Sequence, residues 1–253
     1  MLDDLTAVVA EAGALALARI GGNYRRWDKT PGHPVCDVDI AVDAFLRERL
    51  AMLDPQAAWL SEETIDDPVR LGRRRVWIVD PIDGTRDYLR RRDGWCVSAA
   101  LVEDGQPILG VLVAPSRGET WVAEAKKGAT CNGVPLRPGD RTELAGARFP
   151  TDALPRTHRD LIAVAKPNSI ALRIAMVAAG QADLLVTHRW GHEWDIAAAA
   201  LIAREAGAAI TDACGVPMRF NTRSAQAFGM IVAAPGIYEQ ALQRFSLKEA
   251  PPL

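Results

Sequence analysis

Hydrophobic residues recur along the chain with two periods, one typical of helices and one typical of strands. Between residues 5 and 20 they return every three or four positions, which predicts a helix that ends at Gly21 and Gly22. A second helix is predicted to begin near Asp39 and to end before Asp54. Shorter apolar runs separated by turn residues predict strands at 57–61, 75–80, 96–102, 108–113 and 120–123.

The second half of the sequence alternates helical and extended patterns. The predicted elements are a helix at 169–179, a strand at 182–187, a helix at 195–206, strands at 208–211 and 228–233, and a last helix after Pro235. Antiparallel strands with long helices, followed by alternating units, are typical of a layered α/β protein. Because no linker rich in proline, glycine or serine interrupts the chain, we expect two closely packed halves, an α+β half at 1–140 and an α/β half at 141–253.

Composition narrows the classes of function. The 253 residues are 49% hydrophobic and 25% charged with a net charge of −2, so neither nucleic-acid polymers nor membranes are favoured partners. The first residues are acidic, unlike a signal peptide, and no uncharged stretch approaches the roughly 20 residues of a membrane span. The four cysteines are widely spaced, which predicts reduced thiols in a cytoplasmic protein. The seven tryptophans are expected to pack in the core and at its rim.

The most informative segment is DPIDGT, residues 80–85, at the end of an apolar strand. Asp80 and Asp83 stand on a strand-to-turn corner, where both carboxylates and the Ile82 carbonyl can converge on one point. Oxygen ligands of this kind are those that Mg²⁺ prefers. If the residues after Asp83 open a helix, their N–H groups would point at a bound anion. Taken alone, the segment is equally compatible with a surface turn, because Asp, Pro and Gly form turns readily.

Other acidic residues stand at the ends of predicted elements. Glu62 and Glu63 follow another apolar strand, Asp195 opens an alanine-rich helix, and Asp39 opens the second helix. Each has a simpler explanation, either a solvated acidic pair or a helix N-cap. Several carboxylates that meet at one site repel one another unless cations neutralise them. Together these acids therefore predict a metal cluster.

Three separated motifs resemble those of the inositol monophosphatase superfamily, whose members are magnesium-dependent, lithium-sensitive phosphatases. The motifs are SEE at 61–63, DPIDGT at 80–85 and WDIAA at 194–198, and the later EAGA at 205–208 followed by Asp212 also fits. The order of predicted elements agrees over nearly the whole chain. The resemblance implies a layered α-β-α-β-α sandwich with an active site between its halves. It also implies magnesium-dependent hydrolysis of a small, soluble phosphate monoester.

The resemblance implies which residues hold the metal. Glu62 and Asp80, with the Ile82 carbonyl, would hold one Mg²⁺ ion. Asp80 would bridge to a second ion, which Asp83 and Asp195 complete. A third, weaker ion would involve Glu62.

Catalytic and substrate-binding residues are implied in the same way. Thr85, hydrogen-bonded to Asp39 and close to Glu62, would help to activate a water for in-line attack on phosphorus, without a phosphoenzyme. The implied substrate contacts are Asp83, Gly84, Thr85, Arg86 and Asp195.

The pattern is closest to the 3'(2'),5'-bisphosphate nucleotidase branch of the superfamily. RDY at 86–88, Leu172-Arg173 and the stretch 97–115 are similar to that branch. Arg86 and the arginines at 90–92 add positive charge that suits two phosphates, although 90–92 also fit a solvated basic loop. Two departures from the family pattern bear on substrate choice. Cys36 stands where threonine is usual, and KPNS at 166–169 replaces a segment usually rich in glycine and serine.

Other functions stay open at this point. The substrate could be inositol 1-phosphate or another sugar or histidinol phosphate. The protein could instead bind metal and phosphate without catalysing, or hold calcium structurally, although no EF-hand-type loop is present. His188 and His192 have the spacing of two zinc ligands on a helix, but Trp190-Gly191 between them argues against a helix. A homodimer is what the resemblance suggests.

Overall fold

Helices and strands occur in nearly the predicted order in the computed structural model, which describes residues 1–30 and 33–252. The helices are α1 (Leu2–Arg19), α2 (Asp37–Leu53), α3 (Thr85–Leu89), α4 (Ile170–Ala178), α5 (Ala197–Ala206) and α6 (Tyr238–Phe245). The strands are β1 (Arg26–Thr30), β2 (His33–Cys36), β3 (Ala58–Ser61), β4 (Arg75–Asp83), β5 (Cys96–Glu103), β6 (Gln106–Ala114), β7 (Glu119–Glu124), β8 (Gly128–Cys131), β9 (Val134–Pro135), β10 (Arg148–Pro150), β11 (Ile162–Val164), β12 (Leu184–His192), β13 (Ala209–Thr211) and β14 (Gln226–Ala233).

The central sheet has seven strands in the order β3-β4-β5-β6-β7-β8-β9. β3 and β4 pair in parallel, and the other neighbours are antiparallel. Successive residues of β4 enter two different cores. Trp77 and Val79 pack against α1 and α2, whereas Val76 and Ile78 pack against α4 and α5. Burial on both faces explains why this strand is continuously apolar in the sequence.

A smaller sheet, with strand order β12-β14-β13, covers the far side of α4 and α5. Met230 and Val232 of β14 pack into the core with these helices, and Ile231 and Ala233 pack against Phe245 of α6. The layer order is therefore α-β-α-β-α, as predicted. The division near residue 140 stays a prediction, because the core beneath α4 and α5 takes side chains from both halves.

Gly110 lets α5 approach the central sheet closely. A Cβ at this position of β6 would lie 2.8 Å from the Ala198 carbonyl oxygen and 3.2 Å from the Ala198 Cα. The helix presents alanines along this region, so its backbone comes near the backbone of the strand. The close approach fixes the start of α5, and therefore Asp195 just before it, relative to the central sheet.

Two boundaries in the first half differ from the predictions. β4 does not end at Asp80 but continues through an irregular corner to Asp83, because pairing with β5 resumes there. α2 begins at Asp37, with Cys36 as its N-cap. Asp39 is thus the third residue of the helix and forms a capping box with Cys36, whereas the sequence suggested a start near Asp39.

Differences in the second half concern the segments around the last motif. The N-cap of α5 is Ile196 rather than Asp195. β12 runs to His192, five residues beyond its predicted end, because pairing with β14 resumes after a bulge between Thr187 and Trp190. The two-stranded sheets β1-β2 and β10-β11 and the short strands β8 and β9 were not predicted, since each is too short to show a period.

An ion pair between a half-exposed arginine and a buried aspartate joins β10 to the residue before β12. Arg148 donates from Nη2 and Nε to the two oxygens of Asp183, at 2.7 and 2.9 Å, and Arg141 Nε lies 3.6 Å from the same carboxylate. Burial opposes ionisation of Asp183, but the hydrogen bonds from Arg148 and the charge of Arg141 hold the Asp183 pKa below its usual value. The ion pair therefore stabilises the fold when Asp183 is ionised.

The ion pair between Arg148 and Asp183 leads to a prediction about stability in acid. Stabilisation from a carboxylate with a lowered folded-state pKa is present above the unfolded-state value of about 3.9 and is lost as pH falls through the folded-state pKa. We expect Asp183→Asn to lower the free energy of unfolding at pH 7 and to flatten its decline between about pH 4 and pH 2. Urea unfolding across this range measures both effects. Parallel pH curves for the two proteins would contradict the assignment.

Candidate active site

A cavity of about 780 Å³ opens where β3, β4 and β12 end, beside the starts of α3, α4 and α5. It contains nearly all of the residues predicted from the motifs, together with part of β12 and β14. The predicted residues in its lining are Glu62, Asp80, Ile82, Asp83, Gly84, Thr85, Arg86 and Asp195.

The irregular corner of β4 positions the DPIDGT segment. Asp80 Oδ1 accepts a hydrogen bond from the Ile82 N–H at 2.9 Å, and Thr85 Oγ1 lies 3.0 Å from the Ile82 carbonyl oxygen. Gly84 is the N-cap of α3 in a left-handed conformation, with φ 96°. The segment therefore opens a helix, the condition under which its N–H groups would face an anion, and both aspartates lie on the wall of the cavity.

Asp39 lies behind this wall, held by the N-terminus of α2. Its Oδ2 accepts hydrogen bonds from Cys36 N at 2.9 Å and from Cys36 Sγ at 2.8 Å. Its Oδ1 lies 3.3 Å from Thr85 Oγ1. Burial raises the pKa of Asp39 to about 6 and that of the Cys36 thiol to about 12. The thiol is therefore a hydrogen-bond donor to Asp39, the role that a hydroxyl would also fill.

Glu62 is positioned by the turn that follows β3. The buried Asp43 of α2 accepts hydrogen bonds from the hydroxyls of Ser61 and Thr64, on either side of the acidic pair, with the Thr64 bond at 2.7 Å. These two bonds anchor the turn to α2. The turn consequently places Glu62 in the lining of the cavity.

Asp83 is held by the N-terminus of α4. Its Oδ2 accepts hydrogen bonds from Ser169 Oγ at 2.5 Å and from the Ala171 N–H at 2.8 Å. Burial raises the pKa of Asp83 to about 6, although these hydrogen bonds act in the opposite direction. Asp83 thus connects the two halves of the molecule at the cavity, and its charge is favoured by donors from the second half.

Asp195 lies in the turn between β12 and α5. Together with Glu62, Asp80 and Asp83 it forms the acidic wall of the cavity. Its Oδ2 accepts a hydrogen bond from the His192 N–H at 3.2 Å. Burial, and then the negative charges of Asp83 and Glu62, raise the pKa of Asp195 well above its usual value. The pKa of Asp80 is raised for the same reasons, with Glu62 the largest of its charged neighbours. These carboxylates act on one another electrostatically across a single site.

The oxygen atoms at this site are suitable ligands for a hard cation. In the described part of the chain, no three His, Cys, Asp or Glu side chains are grouped tightly enough to hold a metal ion as they stand. Asp83 and Asp195 are turned instead toward hydrogen-bond donors of the neighbouring loops. The cavity nevertheless presents carboxylate and carbonyl oxygens, which Mg²⁺ prefers, and cations would relieve their mutual repulsion. The donor set therefore fits magnesium.

Two arginines bring positive charge to the cavity. Arg86 and Arg189 both line it. In the chain, Arg86 follows Asp83 and Arg189 precedes Asp195. The arginines at 90–92 do not line it. They are exposed, Arg91 reaches the Gly21 carbonyl at 3.4 Å, and Arg92 lies 3.8 Å from Asp87. The arginines at 90–92 thus form a solvated loop, which was one of the two interpretations of the sequence, rather than part of the cavity.

The histidines with zinc-like spacing lie on a strand. His188 Nε2 donates to the Phe245 carbonyl oxygen at 2.7 Å, and His192 stacks on Trp194 with the ring planes 4° apart. The four cysteines, all within the described residues, are free thiols.

Comparison with known proteins decides the family. A sequence profile of the inositol monophosphatase family matches residues 2–247. The chain belongs to the inositol monophosphatase family. It is a phosphatase, and the family is one of metal-dependent enzymes in which magnesium dependence and lithium sensitivity are typical. Among the described helices of this family member, none is long and apolar enough to cross a membrane.

Relatives of this inositol monophosphatase family member include enzymes named for different phosphate esters. The 3'(2'),5'-bisphosphate nucleotidase CysQ of Escherichia coli K12 is 32% identical over 240 residues, covering 88% of this chain and 95% of the relative. The fructose-1,6-bisphosphatase/inositol-1-monophosphatase of Thermotoga maritima is 32% identical over 189 residues, 72% of each chain. Among solved structures, the extragenic suppressor protein SuhB of Bartonella henselae has a TM-score of 0.84 at 25% identity, covering 95% of this chain and 96% of its own.

Several residues that support the family site were not assigned a role from the sequence. Ser169 and Arg173 stood only in segments compared with the family pattern, and Asp43, Arg189 and Glu193 were not considered. Arg173 is 7% exposed and donates to the carbonyl oxygens of Pro167 and Asn168, which fixes the turn before α4. A signal was present for Ser169, since serine before a helical pattern is a typical N-cap. The other contacts join residues distant in sequence.

Glu193 ties the last family motif to the loop before β14. Its carboxylate is fully buried and accepts hydrogen bonds from Asn221 N at 2.6 Å and from Thr222 N at 2.8 Å, besides the Thr222 hydroxyl. Removing it would leave the partly buried backbone N–H groups of Asn221 and Thr222 without this acceptor. We expect Glu193→Ala to lower the free energy of unfolding by about 3 kcal/mol and Glu193→Gln by less. Urea unfolding of both variants measures this, and equal losses would contradict the hydrogen-bonding role.

Proposed function

We propose that this phosphatase hydrolyses a phosphomonoester of a nucleotide that carries a second phosphate, a 3'(2'),5'-bisphosphate. The observation that supports this most is one cavity with buried carboxylates and two arginines, Arg86 and Arg189, in its lining. A guanidinium group binds phosphate through charge-assisted, often bidentate hydrogen bonds. Two such groups beside a hydrolytic centre suit a substrate with a phosphate that is not cleaved. The name of the Escherichia coli relative points the same way.

The residues of the cavity have distinct roles in this proposal. Glu62, Asp80 and the Ile82 carbonyl would hold one Mg²⁺ ion, and Asp80, Asp83 and Asp195 a second, with a third and weaker ion at Glu62. Bound magnesium would neutralise charge on the phosphoryl oxygens and lower the pKa of water. The Gly84 and Thr85 N–H groups, with Asp83, Arg86 and Asp195, would orient the substrate.

Proton transfer is assigned to Thr85 and Asp39. Thr85 lines the cavity, and its hydroxyl lies 3.0 Å from the Ile82 carbonyl oxygen and 3.3 Å from Asp39 Oδ1. This hydroxyl would accept a hydrogen bond from the attacking water and turn its own proton toward Asp39. Burial raises the pKa of Asp39 to about 6, which makes its carboxylate a better proton acceptor near neutral pH than an exposed one. Glu62, on the same wall, would orient the water.

A second candidate substrate class is an inositol or other sugar phosphate. The Thermotoga maritima relative is named for fructose 1,6-bisphosphate and inositol 1-phosphate at the same 32% identity. The same acidic wall would serve that reaction, so only the substrate differs between the two proposals.

Phosphate release from a panel of esters tests the proposal. The panel contains 3'-phosphoadenosine 5'-phosphate, inositol 1-phosphate, fructose 1,6-bisphosphate and histidinol phosphate, each with magnesium and then with a chelator. We expect the highest kcat/KM for the adenosine bisphosphate, no release after chelation, and inhibition by millimolar lithium. A preference for another ester would overturn the choice of substrate. Full activity under chelation would overturn the metal assignment.

Arginine variants test the second phosphate in the same assay. We expect Arg189→Gln to raise KM for the adenosine bisphosphate but to change KM little for adenosine 3'-monophosphate, which keeps the phosphate to be cleaved and lacks the second one. Arg90→Gln is the matched control, since Arg90 is an exposed arginine of the same chain outside the cavity. Equal effects of Arg189→Gln on both substrates would contradict a contact with the second phosphate.

A further inference from the structure

We propose that Trp190, His192 and Trp194 form a stacking wall that binds the base of the nucleotide, an inference that rests on the function proposed above. All three aromatic residues line the cavity that contains the carboxylates. They extend along the end of β12 and the turn that follows it. The sequence suggested only core and rim packing for the tryptophans. Trp194 does pack against the core, and Trp190 and Trp194 both line the cavity beside the carboxylates.

The rings of this stacking wall are held by other aromatic groups. His192 and Trp194 are stacked with centroids 4.3 Å apart and planes at 4°, and Trp190 packs against Phe228 with centroids 5.3 Å apart at 59°. Aromatic pairs at such distances are favourable. Trp190 Nε1 is buried, with no acceptor among the described residues, so packing alone holds this ring. The wall is therefore formed before any ligand arrives.

The position of the wall suits the geometry of a nucleotide. Trp190 and His192 are contributed by β12, and Asp195 lies three residues beyond His192, so the aromatic rings and the acidic wall adjoin along one chain segment. A nucleotide likewise joins its phosphate to its base through one sugar. The cavity volume of about 780 Å³ also lies within the range for ligands larger than a single ring.

The chemistry of the wall favours a base over a polyol. A cyclitol or sugar presents hydroxyl groups in all directions, and each requires a hydrogen-bond partner when it is buried. Indole and imidazole faces offer few such partners. Every nucleobase has a flat π-face, and stacking on aromatic side chains binds it with little regard to its identity. We therefore expect the wall to accept purines and to discriminate weakly among bases.

Substitutions of Trp190 test the wall with two substrates that share both phosphates. One substrate is 3'-phosphoadenosine 5'-phosphate, and the other is the base-free analogue 1-deoxyribose 3,5-bisphosphate. We expect Trp190→Leu to raise KM for the nucleotide about tenfold or more and to change KM for the base-free analogue less than about twofold, with kcat nearly unchanged. Trp190→Phe, which keeps an aromatic face, should restore most of the affinity. Equal changes for both substrates, or none for the nucleotide, would overturn the inference.

Competition experiments on the unmodified protein test the stacking wall without requiring that any variant folds. Adenosine should inhibit hydrolysis of the base-free analogue, and ribose at the same concentration should not. Equal inhibition by the two would overturn the stacking wall. Failure of the proposed function is distinguishable, because it appears in the unmodified protein as an absence of nucleotide hydrolysis with normal hydrolysis of inositol 1-phosphate.

Discussion

An Asp83→Asn variant is expected to lose phosphatase activity by about a thousandfold or more while keeping its fold. The substitution removes one negative charge from the acidic wall with almost no change in volume. Asp83 is assigned to the second magnesium ion and to the substrate, so the loss should affect kcat more than KM. The fold should survive because an amide oxygen can still accept hydrogen bonds from Ser169 Oγ and the Ala171 N–H.

The thermal stability of this variant should equal or exceed that of the unmodified protein without magnesium. Burial raises the pKa of Asp83 to about 6, which shows that its ionised form is costly in the absence of a cation. A neutral amide avoids that cost. Added magnesium should then raise Tm of the unmodified protein more than that of the variant, since binding to the folded state stabilises it by mass action.

Asp212→Asn is a matched control for Asp83→Asn. Asp212 also accepts two backbone hydrogen bonds, from Cys214 N and Val216 N at 2.8 Å each, but it does not line the cavity. We expect nearly full activity from it. Undiminished turnover in Asp83→Asn, or an equal loss in both variants, would contradict the assignment of Asp83 to the site.

The acidic wall could be predicted from the sequence because each of its members stands at the end of an apolar run. Asp80 and Glu62 follow strands that prove to be parallel neighbours, β3 and β4, so their side chains reach the same edge of the sheet. Asp195 precedes a helix rich in alanine that packs on that sheet. Local pattern and family motif thus agreed, and the structure places these three residues at one cavity.

The supports of this wall could not be predicted, because they depend on contacts between distant segments. Ser169 and Asp83 are 86 residues apart, and Thr222 and Glu193 are 29 apart. No periodicity relates such pairs. The same reason applies to the end of β12, where five residues after Thr187 show no alternation and become a strand through pairing with β14. Trp190 and His192 of the proposed stacking wall lie on that extension, and Trp194 lies in the turn after it, so their place beside the cavity was not predicted.

The N-cap of α2 shows a second reason why the sequence did not predict an element boundary. The sequence suggested a helix that begins near Asp39, because aspartate is a preferred N-cap and cysteine is not. In the structure the Cys36 thiol makes the capping contact, and Asp39 returns it from the third position of the helix. A residue that lies outside the usual preferences can therefore move a boundary by two positions while leaving Asp39 available to Thr85.

Gly84→Ala is expected to destabilise the protein by about 2–5 kcal/mol and to abolish activity in whatever fraction stays folded. Gly84 has φ 96°, a conformation that strains residues with a Cβ. Its added Cβ would also lie 2.7 Å from the Gly94 carbonyl oxygen and 2.9 Å from Ser169 N. These two atoms are joined by a 2.9 Å hydrogen bond, so the methyl group would press on the link that brings the two halves together.

Gly118→Ala separates the conformational part of this effect from the steric part. Gly118 also has a positive φ, of 65°, but an added Cβ there meets nothing within 4 Å. We expect this control to lose only about 1 kcal/mol and to keep full activity. Urea unfolding and phosphate release on both variants give the comparison. The larger loss in Gly84→Ala should appear in kcat as well as in stability, because Asp83 and Thr85 flank the displaced residue. Equal losses in the two variants would show that backbone strain alone explains the glycine and that the contact with Gly94 and Ser169 does not position the site.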